Sequence, residues 1–346
     1  MVKLNGIEAA RGIAATFVVL YHAARHLNKI YVTPVLMSVF QFGHAGIDLF
    51  FVISGFIILF VHYDDIGRPV RLRRYIGRRL SRILPIYWVA LALTIILSLG
   101  GGHGLPPLID VAWSALLLPS HAEPLLGIAW TLQFEIVFYT IFCIVIVNRM
   151  LGVTVLALWL CWIVLTKFDV SMGGEVPPSL YGVYNIEFFC GMAVAYWLRN
   201  RTVLFPKPIL LMGVILFAGT GIAENTGLID GYADMSRLIY GPAAALIVLG
   251  AAAAGRGGLM TVPIWLQTLG TASYSIYLFQ FVFIGVLWKL WLVLRFADTL
   301  PDIASFPVLA IAGVAGGIAM SRLVEYPLMG LIRRISRPGA AVIAVR

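Results

Sequence analysis

Apolar runs of about 20 residues, the length of a helix that spans a bilayer, recur along nearly the whole chain. We therefore predict an all-α polytopic membrane protein with about ten transmembrane helices. The stretch 104–120 is Pro-rich and only partly apolar, so we predict an outer loop there. The predicted spans are residues 7–27, 43–62, 83–100, 127–147, 151–167, 181–198, 208–223, 238–254, 267–293 and 305–323.

Composition and charge support this class. The chain is 61% hydrophobic and 12% charged, whereas soluble domains carry about 25% charged residues. A net charge of +9 would suggest nucleic-acid binding in a soluble chain, but the cytoplasmic loops of membrane proteins are rich in Lys and Arg. Most Lys and Arg residues lie in segments on the same side as the amino terminus. We predict that both termini are cytoplasmic and that nucleic acid is not a partner.

The chain shows no internal repeat and no low-complexity tract. We predict one transmembrane domain over residues 1–327, followed by a short basic tail over 328–346. The three cysteines lie inside apolar runs, without metal-ligand or disulfide spacing. No metal site is therefore predicted.

The first predicted helix carries three ionisable residues in the stretch GIEAARGIAATFVVLYH. His22 follows Arg11 by eleven residues, which places both side chains on one helix face, about 16 Å apart along the axis. Glu8 precedes Arg11 by three residues, within pairing distance on a helix. Because ionisable groups are costly inside a bilayer, this polar stripe is a candidate functional site.

The second and fourth predicted helices add further polar candidates. His44 and Asp48 share a face in GHAGIDLFFVISGF, and Glu135 lies in AWTLQFEIVFY. Asp48 and His22 lie at similar depth on neighbouring helices, so a contact between them is geometrically possible. A carboxylate in that position would hold the imidazole as a general base. Glu135 lies at a similar depth, and the sequence leaves its lateral position open.

The segment DDIGRPVRLRRYIGRRLSRILPIYW between the second and third predicted helices contains arginine but no lysine. Arg71, Arg74 and Arg78 recur at a spacing that lines one helix face. Guanidinium groups bind phosphate bidentately, which suits a phosphorylated ligand. Membrane topology and attraction to anionic lipid explain the same charges equally well.

Two classes of function fit these residues. Buried His, Asp and Glu at similar depth suit an acid–base enzyme, and they also suit a proton-coupled transporter. The chain lacks a visible repeat of the kind that many transporters have. A flippase for lipid-linked sugars is a third alternative.

Four motifs, in register, resemble those of the acyltransferase family 3 membrane enzymes, bacterial proteins that O-acylate cell-surface glycans. They are GIEAARGIAATFVVLYH, GHAGIDLFFVISGF, RRLSRILPIYW and WTLQFEIVFY, with weaker matches in LGTASYSIYLFQ and the closing EYP. Together they cover nearly the whole chain. The family often has Asp at the position of Glu8 and His at the position of Gln280, so a second histidine role is not carried over.

The resemblance implies transfer of an acyl group from cytoplasmic acyl-CoA to a hydroxyl of a cell-surface or lipid-linked glycan. The expected donor substrate is acetyl-CoA, although a succinyl group also fits, and no bound cofactor is expected. The chain length is similar to that of short members that acetylate exopolysaccharide. The expected location is the bacterial cytoplasmic (inner) membrane. The acceptor glycan and the oligomeric state stay open.

The resemblance also implies roles for individual residues. His22 is expected to act as a general base on the acceptor hydroxyl, or to be transiently acylated, with Asp48 or Glu135 orienting it. Arg11, paired with Glu8, is expected to contact the donor or to hold the first helix. The residues expected to bind acyl-CoA are Arg71, Arg73, Arg74, Arg78 and Arg82, and those expected to support the site are Glu8, Ser54 and Tyr274.

Aromatic residues and one further carboxylate complete the candidates. Tyr and Trp rings could pack on sugar faces and line a glycan site. Tyr and Trp also gather at membrane interfaces, and this explains their presence here more simply. Glu325 in the EYP motif could pair with loop arginines and is interpreted as structural. The aromatic candidates are Trp88, Trp130, Tyr274 and Tyr277.

Overall fold

A computed structural model describes residues 4–31, 33–102, 104–168, 175–296 and 301–335. These residues form helices and connecting turns, with no β-strand among them. The long helices, labelled α1 to α10 in chain order, are Asn5–Tyr31, Gly46–His62, Leu72–Gly100, Trp130–Val147, Arg149–Phe168, Tyr184–Asn200, Pro206–Asn225, Asp234–Arg256, Ile264–Val293 and Ser305–Met320.

Each predicted span overlaps one of these long helices, so the predicted all-α membrane fold is confirmed. The largest difference is at α3, which begins at Leu72 rather than near residue 83. Its first turns are rich in arginine, which has a high helix propensity, so the helix extends beyond the apolar run. Hydropathy locates the segment that enters the membrane but not the polar turns before it.

Eight helical segments in the described ranges are long and apolar enough to cross a membrane. The two long helices outside this set are α1 and α6. Both pack against several other helices: α1 contacts α2, α8, α9 and α10, and α6 contacts α2, α4, α5 and α8. Protein neighbours shield the polar groups of these two helices from lipid, which lowers the cost of burying them.

Glycines allow α1 and α2 to approach their neighbours closely. A Cβ atom added at Gly12 on α1 would lie 2.7 Å from the backbone nitrogen of Gly270 on α9. A Cβ atom added at Gly191 on α6 would lie 2.0 Å from the carbonyl oxygen of Val52 on α2. Small residues at such crossings let helix backbones touch within a membrane. These contacts hold α1 and α2 in the middle of the bundle, where the candidate site residues lie.

Shorter helices connect the long ones. The predicted outer loop 104–120 contains a helix at Leu108–Leu116, which at 9 residues is too short to span a bilayer. A π-helical turn, Ser321–Glu325, joins α10 to the helix Tyr326–Ile335. The predicted basic tail, 328–346, is helical as far as Ile335, and its remaining residues lie outside the described part of the chain.

Candidate active site

Two adjoining cavities lie among helices α1, α2, α4 and α9. The first, which we call the arginine cavity, has a volume of about 100 Å³. Helices α1, α2, α3, α4 and α9 contribute its lining. Its lining residues are Arg11, Ile47, Phe50, Phe51, Ile53, Ser54, Ile57, Arg79, Arg82, Ile83, Thr131, Leu132, Glu135, Tyr139, Ser273, Tyr274 and Tyr277.

Three arginines and one carboxylate set the charge of the arginine cavity. Arg11, Arg79 and Arg82 face Glu135 across it. None of these four forms an ion pair within 4.0 Å among the residues that the structure describes. The Nε atom of Arg79 is buried without a hydrogen-bond partner, and its guanidinium lies 5.7 Å from the ring of Tyr139. The cavity therefore has an excess of positive charge, suited to an anionic or strongly polar ligand.

Hydrogen bonds fix the carboxylate of Glu135. Ser54 on α2 donates a 2.8 Å hydrogen bond to Glu135 Oε1, and the hydroxyl of Tyr139 donates to the same oxygen. Tyr274 on α9 donates to the carbonyl oxygen of Ile83 at 3.0 Å. The predicted supporting residues Ser54 and Tyr274 thus both line this cavity, and both form hydrogen bonds there.

The basic segment contributes part of the lining of the arginine cavity. Arg73, Arg74 and Arg78 are exposed on the first turns of α3, and Arg82 is exposed yet also lines the cavity, so it lies at the mouth. Arg71 lies just before the helix, with its Nε 3.8 Å from an oxygen of Asp65. Of the predicted acyl-CoA-binding arginines, Arg82 therefore lines the cavity, and the other four precede the buried Arg79 in the chain without lining the cavity.

The second cavity, which we call the histidine cavity, has a volume of about 520 Å³. Pockets that enclose drug-sized ligands have volumes of about 300–1,000 Å³. Its polar lining residues are Tyr21, His22, Arg25, His26, Lys29, His44, Ser120, His121, Glu123, Gln133, Ser179, Tyr184, Tyr232 and Tyr277.

His22 is chemically available in the histidine cavity. Its ring packs against Phe281 at a centroid distance of 4.5 Å. Across the described ranges no hydrogen bond joins the ring to another residue, and His22 lines the cavity. A ligand hydroxyl in the cavity could therefore reach an imidazole nitrogen without displacing a protein group.

His44 lines the same cavity but is fully engaged by its neighbours. Its Nε2 lies 2.7 Å from Glu224 Oε1, and Arg237 donates to its Nδ1 at 3.2 Å. An Nδ1 that accepts from Arg237 leaves the proton on Nε2, which donates to Glu224. Tyr240 donates to the other oxygen of Glu224 at 2.8 Å. His44 is therefore a structural member of a buried network and has no free nitrogen for a substrate.

Hydrogen-bonded tyrosines form one wall of the histidine cavity. The hydroxyl oxygens of Tyr21 and Tyr232 are 2.6 Å apart, and Arg25 donates to Tyr21 at 3.1 Å. Burial, and then the hydrogen bond to Tyr21, raise the pKa of the Tyr232 phenol, which lies in the turn before α8. The Tyr232 phenol therefore stays neutral at physiological pH.

The two cavities meet at Ile47 on α2 and Tyr277 on α9, which line both. Helix α1 carries Arg11 into the arginine cavity and His22 into the histidine cavity. A straight helix puts these residues about 16 Å apart along its axis. The cavities are therefore stacked along the bundle, and two residues of the predicted polar stripe of α1, Arg11 and His22, line one cavity each, whereas Glu8 lines neither.

Comparison with known proteins assigns this architecture to a family. The family model of the acyltransferase domain, acyltransferase family 3, matches residues 4–322. The chain belongs to this acyltransferase family. No solved structure matches it.

Relatives of the acyltransferase include one of nearly the same length. The "Exopolysaccharide production protein ExoZ" of Rhizobium meliloti (strain 1021) is 30% identical over 316 residues, covering 86% of this chain and 93% of the relative. A "Putative O-acetyltransferase" of Staphylococcus aureus (strain COL) is 37% identical over 91 residues, covering 25% of this chain and 13% of the relative. The predicted family and the predicted class of enzyme, an acyltransferase, are confirmed.

The predicted contact between Asp48 and His22 in this acyltransferase is wrong. Asp48 is fully buried, and its Oδ2 accepts a hydrogen bond from Arg237 on α8. Its Oδ1 has no hydrogen-bond partner in the described part of the chain. Burying a carboxylate costs less free energy when it is paired with a cation than when it contacts a neutral imidazole, and Arg237 on α8 provides that cation.

Glu135 and Glu8 also differ from expectation. Glu135 lines the arginine cavity rather than the histidine cavity, so it is not in a position to orient His22. Glu8 does not pair with Arg11 among the described residues, and its Oε2 is buried without a partner. Its backbone instead packs against Gly270. Arg11 turns its side chain toward the cavity, which removes it from Glu8.

Among the remaining candidates, Glu325 is structural as interpreted, although its partners are not arginines. Its Oε2 accepts hydrogen bonds from Ser275 at 2.6 Å and Ser321 at 2.9 Å. Trp130 and Tyr277 line the histidine cavity, whereas Trp88 is exposed and donates to a backbone carbonyl.

Sequence reasoning missed two arginines of the acyltransferase. Arg79 is buried in the arginine cavity and Arg237 in the network with Asp48. A signal existed for Arg79, because it shares the helix face of the apolar residues Tyr75, Ile83 and Ile86. No local pattern pointed to Arg237, which lies 189 residues from Asp48 in the chain.

Proposed function

We propose that this acyltransferase transfers an acetyl group from acetyl-CoA to a hydroxyl of a cell-surface glycan or its lipid-linked precursor, in the bacterial inner membrane. The observation that carries the proposal is the pair of stacked cavities, one rich in arginine and one holding an available histidine. Acetyl as the group and glycan as the acceptor are supported by the names of the relatives, an O-acetyltransferase and an exopolysaccharide production protein.

The donor is assigned to the arginine cavity. A volume of about 100 Å³ is too small for the nucleotide part of CoA, so only the thioester end of the pantetheine arm would enter. The phosphates would stay at the surface, where the exposed Arg73, Arg74 and Arg78 offer guanidinium donors. This end of the bundle is the cytoplasmic side in the predicted topology, where acyl-CoA is made.

The acceptor is assigned to the histidine cavity, which has the volume for a sugar and the hydrogen-bonding groups to hold one. His22 takes the proton of the acceptor hydroxyl while the oxygen attacks the thioester carbonyl. The C–S bond breaks, the ester C–O bond forms and the proton ends on the CoA thiol. In the alternative order, His22 first receives the acetyl group and then passes it to the hydroxyl.

The guanidinium groups of Arg11 and Arg79 would stabilise the negative charge that develops on the thioester oxygen and sulfur. Glu135, held by Ser54 and Tyr139, lines the same cavity as these cations. The choice of an enzyme over the transporter and flippase alternatives rests on the family.

The test compares the O-acyl content of surface polysaccharide in strains lacking the gene or carrying the wild type, His22→Gln or His62→Gln, at matched membrane abundance. We expect ester with the wild type and with His62→Gln, whose side chain lies outside both cavities. Loss of a general base lowers the rate by about 10²–10⁴-fold, so His22→Gln should leave ester near the deletion level. Equal ester content in the deletion and wild-type strains would refute glycan acylation, and full activity of His22→Gln would refute the role of His22.

A further inference from the structure

Tyr277 stands between the two cavities. It projects from α9 at the level where the linings meet, and Ile47 on α2 is the residue that shares this position. Along α9, Ser273 and Tyr274 line the arginine cavity and Phe281 lines the histidine cavity, with Tyr277 between them. Any group that moves from one cavity to the other along this face must pass its ring.

The ring of Tyr277 is held in place at its tip. Its hydroxyl donates to the carbonyl oxygen of Ile128 at 3.0 Å and lies 2.8 Å from the hydroxyl oxygen of Thr131. Ile128 lines the histidine cavity and Thr131 lines the arginine cavity. The phenol therefore bridges α9 to the start of α4 at the boundary between the linings. Phe50 packs edge-on against the ring at a centroid distance of 6.0 Å.

The volumes of the two cavities indicate which acyl groups the ring of Tyr277 would let through. The arginine cavity of about 100 Å³ leaves room for little more than the end of an acyl-pantetheine arm, whereas the histidine cavity of about 520 Å³ is several times larger. A small acyl group can be presented at the ring without displacing it. A longer acyl chain attached to the same thioester would collide with the ring or with Ile47.

We propose that Tyr277 is the specificity-determining partition of this enzyme, which presents a short acyl group to a bound acceptor hydroxyl and limits the access of water from the histidine cavity to the thioester. The inference rests on the proposed function, because it assumes that acyl-CoA enters the arginine cavity. The partition has two consequences. It limits the length of the acyl group that can be transferred, and it makes cleavage of the thioester depend on the presence of the acceptor.

The second consequence concerns a side reaction. If water reaches the thioester, it adds to the carbonyl carbon, the C–S bond breaks, and a free carboxylic acid and CoA thiol are released. An enzyme without the partition should therefore release thiol in the absence of acceptor. Excluding water from a reactive intermediate in this way is a recognised task of closed active sites.

The experiment uses purified full-length protein in lipid nanodiscs, acetyl-, propionyl- and butyryl-CoA, and surface polysaccharide from the deletion strain as acceptor. The variants are Tyr277→Ala, which removes the ring, and Tyr277→Phe, which removes only the hydroxyl. The matched controls are Tyr87→Ala and Tyr87→Phe. Tyr87 is a fully buried tyrosine on α3 that lines neither cavity and donates to Ser114 at 2.7 Å. Ester formation and thiol release are measured separately.

For Tyr277→Ala we expect the butyryl-to-acetyl ratio of ester formation to rise about tenfold, as for a pocket that gains room for methylene groups. Thiol release without acceptor should rise with it. For Tyr277→Phe we expect a rise in thiol release of about threefold, because the ring stays but loses its bridge to α4. The Tyr87 variants should keep the wild-type ratio and the wild-type thiol release.

Wild-type ratios and wild-type thiol release in both Tyr277 variants would overturn the partition, while acetyl transfer by the wild type in the same assay would leave the proposed function intact. Should Tyr277→Ala fail to fold, the thiol release of Tyr277→Phe decides alone. A wild-type enzyme that forms no ester from any of the three acyl-CoAs would refute the proposed function itself, and the inference with it.

Discussion

The arginine cavity and the buried network around Arg237 both hold guanidinium and carboxylate groups inside the bundle, yet only the cavity has room for a ligand. In the network, Arg237 donates to Asp48, to His44 and to the carbonyl oxygen of Gly231. In the cavity, Arg11 and Arg79 have no ion-pair partner among the described residues. In the network the guanidinium bonds protein groups, whereas in the cavity the guanidinium groups of Arg11 and Arg79 have no carboxylate of the described ranges bound to them.

The same contrast separates two histidines of the histidine cavity. His44 uses both ring nitrogens within the network, whereas His22 lines the same cavity without a hydrogen bond to any described residue. A carboxylate–histidine pair is often taken as the sign of a general base. In this enzyme the pair belongs to the structural histidine, and the histidine without a carboxylate is the one that can meet a substrate.

The largest effect is expected from breaking the network. Arg237→Met leaves the carboxylate of Asp48 buried without a cation, and removing one partner of a buried ion pair costs about 3–5 kcal/mol. We expect a large fall in Tm and in membrane abundance, measured on purified protein in detergent and by immunoblot. The double variant Arg237→Met with Asp48→Asn should recover part of the loss, because it removes the unpaired charge as well. A single variant as stable as the wild type would show that the network is not structural.

In the arginine cavity we expect a smaller effect, in which ligand binding is weakened and stability is not. Arg79→Met removes a buried cation that has no carboxylate partner, so Tm should stay the same or rise. Hydrogen bonds to charged groups contribute about 1.5–3 kcal/mol, so under the proposed function the affinity for acetyl-CoA should fall by about tenfold or more. Stabilisation of the protein by acetyl-CoA in a thermal unfolding assay measures this change.

Arg201→Met is the matched control for charge, because Arg201 is exposed just after α6 and lines neither cavity. It should keep the response to acetyl-CoA. If Arg79→Met melted several degrees lower and still responded fully to acetyl-CoA, Arg79 would belong with Arg237 as a structural arginine.

The contrast also explains which parts of the molecule could be predicted. Transmembrane spans depend on local hydropathy, and the α1 stripe of Arg11 and His22 depends on local helical period, so both could be read from neighbouring residues. Arg79 could have been read in the same way, because it interrupts the apolar face of α3.

Pairings across the bundle could not be read in this way. Asp48 lies 189 residues from Arg237, and His44 lies 180 residues from Glu224. Several helices could have supplied a cation for Asp48, and the choice depends on which helices touch. The glycine contacts between α2 and α6, and the packing of α8 against both, decide this at the level of the whole bundle.

The smallest effect tests how firmly the cavity is organised. Ser54→Ala removes one of the two hydrogen bonds to Glu135 Oε1, and Tyr139 keeps the other. A hydrogen bond contributes about 0.5–1.5 kcal/mol, so Tm should fall slightly, while the acyl-transfer rate falls several-fold because Glu135 no longer holds a single orientation. Ser81→Ala, at an exposed 3.4 Å bond to a backbone carbonyl, is the control and should change neither quantity. Equal behaviour of the two variants would mean that Glu135 is organised by Tyr139 alone. The carboxylate of Glu135 would then be held only by its own helix, α4, and not also by α2. The Arg237 network, by contrast, joins residues of different helices.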